Sequence, residues 1–377
     1  MNLPHSSTLD QVIPLLKELA DPRARRGRRY EWWVLLSTLV AAILAGCDNL
    51  RAMAHWAEAH QGQLAGFLPL PGGRAPSECT LQRTLRQVGL RDLGRLVNQV
   101  QGSLEPAAVL EPVALDGKAL RAASRPGAPL HLLELARHED GALLGLRAVG
   151  SKQNEYSASP VLLAGIDLNH RVVTGDAMFC QRRLSDYIVA RGGHWLFAVK
   201  ENQPDLLEAI VQHFAAPRSG PYPLDIRTAR SAGHAHGRTE RRVLEASADL
   251  VEHLDWPGAG QVIRRTMVRC VNGRESIEYS YWLTSLPPEA AGPELLERCC
   301  RGHWTIENTV NWSRDVTFGE DRCTTRGPVA PLALAMLRGL ARWLAIYRGQ
   351  FQFVTDARRH YGRWPEAALE LLGALRL

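Results

Sequence analysis

Three acidic residues, Asp116, Asp176 and Glu307, are the candidates for chemistry in this chain. Asp116 and Asp176 each follow a short apolar run, Val113–Leu115 and Val172–Val173 with Thr174-Gly175, so each is expected at or just beyond the end of a strand. Glu307 lies in a stretch with helical period. At about 100° per residue, Leu295, Cys299, Ile306 and Val310 fall on one side, and Cys300, His303, Glu307, Asn311 and Arg314 form the neighbouring stripe. Three converging carboxylates without histidine or cysteine partners suit hard, oxygen-seeking ions, Mg²⁺ or alternatively Mn²⁺. The chemistry that uses such a site is phosphodiester cleavage or transfer. One ion activates the attacking water or 3′-hydroxyl, and a second, about 3.5–4 Å away, stabilises the leaving oxygen. Lys118, Lys200, His303 and Arg314 would position phosphates beside it.

The triple is one choice among many, because the chain has 39 acidic residues. Asp116 could end a turn, Asp176 could cap the following helix, and Glu307 could be an ordinary surface residue. Asp315, Glu320 and Asp321 compete for the helical position. Glu307 is favoured by its place beside an apolar stripe, within one turn of His303, whereas Glu320-Asp321 follows Gly319 in an expected loop.

The elements that must position these residues follow from pattern. Residues 1–105 read as an all-helical domain: Asp10–Leu19, Val34–Ala45, Asn49–His60, and a helix from the N-cap Ser77 to Val88 with Gln82, Arg83 and Arg86 outward. That last helix has the side chains of a groove-reading helix, since arginine and glutamine reach guanine and adenine edges. An amphipathic helix with two exposed arginines is equally ordinary. From Glu111 the period becomes two. Strands are expected at Pro112–Leu120, His131–Ala136, Ala142–Val149, Arg171–Thr174 and Trp195–Val199, with a tight turn at Asp140-Gly141 and helices at Pro160–Ala164 and Arg182–Ala190. Three strands in a meander followed by strand, helix and strand is the order of a mixed five-stranded, ribonuclease-H-like α/β sheet with flanking helices. Residues 106–203 form its first part. Residues 204–290 read as a β-rich insertion with strands at Tyr222–Ala229, Arg238–Ala246, Gln261–Val271 and Arg274–Leu286. Residues 291–350 return to the sheet domain with the Glu307 helix and a helix at Pro331–Arg348, and 351–377 is a mixed tail. His234-Ala-His236 lacks a third ligand nearby, so a loop touching DNA or the catalytic face is expected there rather than a zinc site.

With 377 residues and 45% hydrophobic content, the chain can bury a sizeable core. Its net charge of +6 is mild, but Arg23, Arg25, Arg26, Arg28 and Arg29 stand together, which points to a polyanion partner or to a solvated arginine face. The seven cysteines include no C-x-x-C pair, so neither a disulfide framework nor a zinc ribbon is expected, and a reduced, cytosolic protein is the expectation. The apolar run Val34–Cys47 is too short to span a membrane, and no signal peptide or membrane partner is expected.

Four blocks carry a resemblance: Val113-Ala-Leu-Asp-Gly-Lys118, Thr174-Gly-Asp-Ala-Met-Phe-Cys-Gln181, Val199-Lys-Glu-Asn-Gln203, and Gly302-His-Trp-Thr-Ile-Glu-Asn308 with its continuation Asp315-Val-Thr-Phe-Gly-Glu-Asp-Arg322. In type and order they resemble the signature blocks of bacterial insertion-sequence DDE transposases, the ISAs-type group that includes H-repeat-associated proteins. The resemblance implies that Asp116, Asp176 and Glu307 are the DDE triad. It also implies a ribonuclease-H-like core, Mg²⁺ dependence, cleavage and strand transfer at terminal inverted repeats into target DNA, and work as a homo-oligomer on double-stranded DNA. The wider superfamily often has a Tyr-x-x-Arg-x-x-x-Glu-x-x-x-x-x-x-Lys pattern, where this chain has Cys300, His303, Glu307 and Arg314. A co-opted DNA-binding regulator and a general metal-dependent nuclease are the alternative readings.

Overall fold

The computed structural model describes residues 12–377 apart from Gly27, 103–108, 122, 124–128, 151–152, 218–223, His236 and Thr305. Part of the expected first helix, most of the loop 121–130 and the second histidine of the His-Ala-His run therefore lie outside the described residues.

The chain begins with helices α1 (Val12–Glu18), α2 (Trp32–Leu44), α3 (Leu50–Ala59), α4 (Gln61–Ala65), α5 (Glu78–Gln87) and α6 (Leu90–Val100). Helix α2 is apolar all round and buried along nearly its whole length, as expected of a helix at the centre of a bundle. In α5, Leu81, Thr84 and Leu85 are buried while Arg83 and Arg86 are exposed.

The strands follow: β1 (Glu111–Leu120), β2 (Leu130–Arg137), β3 (Leu143–Ala148), then α7 (Glu155–Leu163), β4 (Arg171–Gly175), α8 (Arg182–Val189), β5 (His194–Val199) and α9 (Pro204–Ala215). Next come β6 (Arg227–Ala235), β7 (Arg238–Ser247), β8 (Gln261–Val271) and β9 (Arg274–Thr284), and the chain closes with α10 (Pro293–His303), α11 (Ala330–Trp343), α12 (Val354–Arg363) and α13 (Pro365–Leu371). The sheet is mixed. Its order is β3-β2-β1-β4-β5-β9-β8-β7-β6, with β1, β4 and β5 parallel and the remaining pairs antiparallel.

The sheet therefore has nine strands rather than five. The strands of the expected β-rich insertion extend this sheet: β9 pairs with β5, from Leu196 opposite Thr284 to Val199 opposite Tyr281. The physical reason is the free edge of β5, whose unpaired backbone groups would otherwise need another cover. Strand β6 also starts later than expected, at Arg227.

The two faces of the sheet bury different elements. Val113, Leu115, Leu133, Leu135 and Val173 pack against apolar residues of α7, α8 and α9. On the other face, Val172, Leu196, Ala198, Leu244 and Trp282 pack against Leu296, Cys299 and Cys300 of α10. The N-terminal helices do not close on a core of their own. One apolar cluster joins Leu35, Leu39, Leu81 and Leu93 to Leu334, Leu337 and Leu340 of α11 and to Ala357, Tyr361 and Leu369 of the C-terminal helices. The boundary expected at residue 105 thus separates segments of sequence, not hydrophobic cores, and the tail 351–377 is two helices that complete the bundle.

Candidate active site

Strand register brings Asp116 and Asp176 together. In the parallel ladder of β1 and β4 the last pair is Leu115 opposite Gly175, so the next residue on each strand is an aspartate. Neighbouring strands lie about 4.8 Å apart, and paired positions share a face. Asp116 Oδ1 accepts from the Gly117 N–H at 2.8 Å. Asp176 leaves its strand as the cap of the turn Ala177–Phe179, where its carboxylate accepts from the Met178 N–H at 3.0 Å. Gly175 lets that turn fold back, since a Cβ there would lie 3.0 Å from Phe179 and Phe197.

Glu307 arrives by a different route from the one its period suggests. Helix α10 ends at His303, and the chain continues in wide π-helical turns over Ile306–Asn311 and Ser313–Thr317. Such turns are rare and frequently accompany functional positions. Ile306 and Val310 pack on Ala114 and Ala136, and Ala114 is two residues before Asp116 on the same face of β1. Glu307 follows Ile306 and is exposed at the rim of this contact, as is Asp176, while Asp116 is half-buried.

The electrostatics tie the three together. Burial pushes the Asp116 carboxyl up to about 7 against the pull of the Gly117 N–H, and the charges of Glu307, Glu134 and Asp176 push it further in the same direction. Partial burial of the Glu307 carboxyl, then the charge of Asp176, raises Glu307 above the ordinary carboxylate range. The donors are all carboxylate oxygens that repel one another, a set whose charge and hardness fit a divalent cation such as Mg²⁺. Among the described residues, no three His, Cys, Asp or Glu side chains are close enough to enclose a metal ion as they stand. Asp116 and Asp176 are instead satisfied by backbone N–H groups.

The cations expected to position phosphates divide sharply. Lys200 is exposed, immediately after β5. Arg314 is fully buried: its Nη1 donates to both oxygens of Glu134 at 2.7 Å, and its Nη2 lies 2.8 Å from Glu320. Lys118 is also buried, paired with Asp315 and lying 3.6 Å from Glu320. Arg338 adds a third cation, 3.4 Å from Glu320. These side chains form an internal ion network with no surface to offer a phosphate, so Lys118 and Arg314, expected to position phosphates, instead brace the interior. The cause is Glu134, directly opposite Asp116 in the β1–β2 ladder, and Glu320, which is buried rather than in an exposed loop.

His303 is likewise interior. Thr174 Oγ1 donates to the Val113 carbonyl at 3.2 Å and lies 3.1 Å from His303 Nδ1 and 2.9 Å from His138 Nε2. Burial lowers His303 to about 4; burial and then the neighbouring His303 lower His138 to about 3. Both rings are thus neutral packing partners. Gly302 is required here, because a Cβ would lie 2.1 Å from His138 Nδ1. His138 and Glu134 are site neighbours that the sequence pattern does not single out, and Glu320, a competitor there for the third carboxylate, is instead part of the ion network. The one available signal was a charged Glu134 at an inward position of an apolar strand. A further carboxylate, Glu155 at the start of α7, lies against Gly117, where a Cβ would be 2.0 Å from its Oε1.

The basic residues of the helical region gather around one cleft of about 520 Å³, lined by Arg23, Arg26, Arg28, Arg29, Arg74 and Arg83. Arg25 is exposed beside it. Arg23 is already committed, donating to Asp21 at 2.9 Å and to the Tyr30 carbonyl at 2.7 Å. Arg86 faces a separate recess with Arg326 and Pro328. His234 lies in β6, 3.1 Å from Thr239 Oγ1.

Comparison with known proteins fits this geometry. Residues 113–344 match the family described as "Transposase DDE domain", and residues 13–99 match one described as "DDE_Tnp_1-associated". A protein of Xanthobacter autotrophicus named "Uncharacterized protein in dhlA 3'region" is 30% identical over 74% of this chain and 96% of its own length. The Escherichia coli K12 protein named "H repeat-associated putative transposase YhhI" is 25% identical over 82% of each.

Proposed function

The chain belongs to the DDE transposase family, and from that premise we propose that Asp116, Asp176 and Glu307 are its catalytic triad, acting on the ends of a mobile DNA element. The observation that carries the reading is the register: two aspartates follow the last β1–β4 pair, and Ile306 and Val310 lay the Glu307 segment across the same face. The part of the sheet ordered β3-β2-β1-β4-β5 is read as a ribonuclease-H-like core, extended by β6–β9.

Proteins of this family act with divalent metal ions. Asp116, Asp176 and Glu307 would hold two, Mg²⁺ or Mn²⁺; when bound, they supply Lewis-acid activation of the attacking hydroxyl and stabilisation of the leaving oxygen. The chain's own residues do the rest. Lys200, exposed beyond β5, can pair with a phosphate near the cut. The cleft arginines Arg26, Arg28, Arg29, Arg74 and Arg83 can hold the backbone of the same double-stranded DNA, with Arg25 and Arg86 flanking it. Strand transfer to a target requires both ends in one complex, which a homo-oligomer on DNA supplies. Among the described residues no helix is long and apolar enough to cross a membrane.

Asp176→Asn or Glu307→Gln should reduce Mg²⁺-dependent cleavage of a DNA bearing the element's ends by about 10³-fold or more while end binding persists. Cleavage at the wild-type rate by either variant would remove the assignment. Equal cleavage of DNA lacking those ends would instead favour a general nuclease.

A further inference from the structure

We propose that Asn202 and Gln203 are positioning residues for the reaction, a pair of side-chain amides that fix the turn carrying Asp176. This inference rests on the reading of Asp176 as a catalytic carboxylate.

Asp176 is the first residue after β4, where the chain reverses, and its own carboxylate caps the turn that follows. Such a cap does not fix where the turn lies relative to β1. Two hydrogen bonds from the turn after β5 hold it in place. Asn202 Nδ2 donates to the Ala177 carbonyl at 2.6 Å, and Gln203 Nε2 donates to the Cys180 carbonyl at 3.0 Å. The amides therefore grip both ends of the segment immediately after Asp176. Between them Phe179 and Cys180 are fully buried, which anchors the same segment from below.

The bracket itself is well placed. Residues 200–203 form the tight turn after β5, closed by the Gln203 N–H donating to the Lys200 carbonyl at 2.9 Å. Gln203 precedes α9 but makes no side-chain cap to it; its amide turns instead towards Cys180. Lys200 and Glu201 are exposed on the same turn. Asn202 is exposed and Gln203 half-buried, so one four-residue unit sets two amides against the carrier of Asp176 and holds a cation out to solvent. The residue type matters: a carboxylate at either position would set an acceptor against a carbonyl oxygen and repel it. A displacement of about 1 Å at a reacting group can lower a rate by about 10²-fold, so the loss should appear in the chemical step.

The test compares Asn202→Asp and Gln203→Glu, which keep shape and reverse donor to acceptor, with Glu201→Gln on the same turn and Asp176→Asn as reference. The readouts are the single-turnover rate of end cleavage, Kd for the end DNA, Mn²⁺ affinity by paramagnetic resonance, and Tm. Expected is a loss of about 10- to 100-fold in cleavage rate and weaker Mn²⁺ binding for Asn202→Asp and Gln203→Glu, with Kd for DNA held and Glu201→Gln like wild type. If either aspartate or glutamate variant fails to fold, Asn202→Ala and Gln203→Ala take its place with the same expectation. Wild-type cleavage and Mn²⁺ affinity in the folded variants, with Asp176→Asn inactive, would overturn the positioning role alone. An active Asp176→Asn would overturn the catalytic reading on which it rests.

Discussion

Arg314 is seven residues beyond Glu307 and is buried among carboxylates contributed by β2 and by the turn at Glu320. A guanidinium there is stabilising only because Glu134 and Glu320 compensate it; without it Glu134 would lose the cation that pairs it in the interior, while Glu320 would keep Arg338 and Lys118. Burial pushes Glu320 up, but Arg314, Arg338 and Lys118 outweigh it and hold the group below its ordinary range. Arg314→Met should therefore destabilise the fold by about 3–5 kcal/mol, read from urea unfolding, and adding Glu134→Leu should recover part of the loss. A neutral Arg314→Met would contradict the brace. Asp176 was legible in the sequence because the end of its strand announces itself by pattern; Asp116, expected at a strand end, lies instead inside β1, opposite Glu134, because the β1–β2 ladder runs on to Leu120. The roles of Lys118, His303 and Arg314 were not, because a charged residue's type does not say whether a carboxylate 180 residues away will meet it inside the core.

At the scale of elements, the site depends on how α10 and the π-helical turns lie across β1, β2 and β4. Thr174, His138 and His303 make that contact polar and buried, and both histidines are held neutral. The sign of the consequence is fixed. Unfolded histidine binds a proton near pH 6.5, the folded rings only near 4 and 3, so between these values the unfolded state carries more protons and stability falls with acidification. Each ring contributes up to about 1.4 kcal/mol per pH unit in that window. Urea unfolding from pH 7 to 4.5 should show this slope, and His303→Gln should flatten it; an unchanged slope would mean the ring is not held neutral. The alternation of β1 to β5 was readable; between β8 and β9 the Asn272-Gly273 turn has positive φ at both residues, the conformation an Asn-Gly hairpin takes. Which edge the later strands would join was not readable, since a two-residue period fixes faces but not partners.

The whole molecule is one continuous sheet with a helical bundle whose core is assembled from both ends of the chain. The helical character of residues 12–100 was visible in the sequence; their dependence on α11 and the C-terminal helices was not, because apolar stripes do not name what covers them. A fragment of residues 1–105 lacks Leu334, Leu337, Leu340 and Leu369, so it should show no cooperative thermal transition, and a sharp one would restore an independent domain. The central claim is that Asp116, Asp176 and Glu307 converge on one metal site, and the most direct measurement is metal-directed backbone cleavage. Fe²⁺ with ascorbate and peroxide cuts the chain next to bound iron. The account predicts three sets of fragments, ending near residues 116, 176 and 307, that disappear together when Mg²⁺ is added in excess. Cuts near the two aspartates without one near Glu307, or cuts that Mg²⁺ does not suppress, would contradict it.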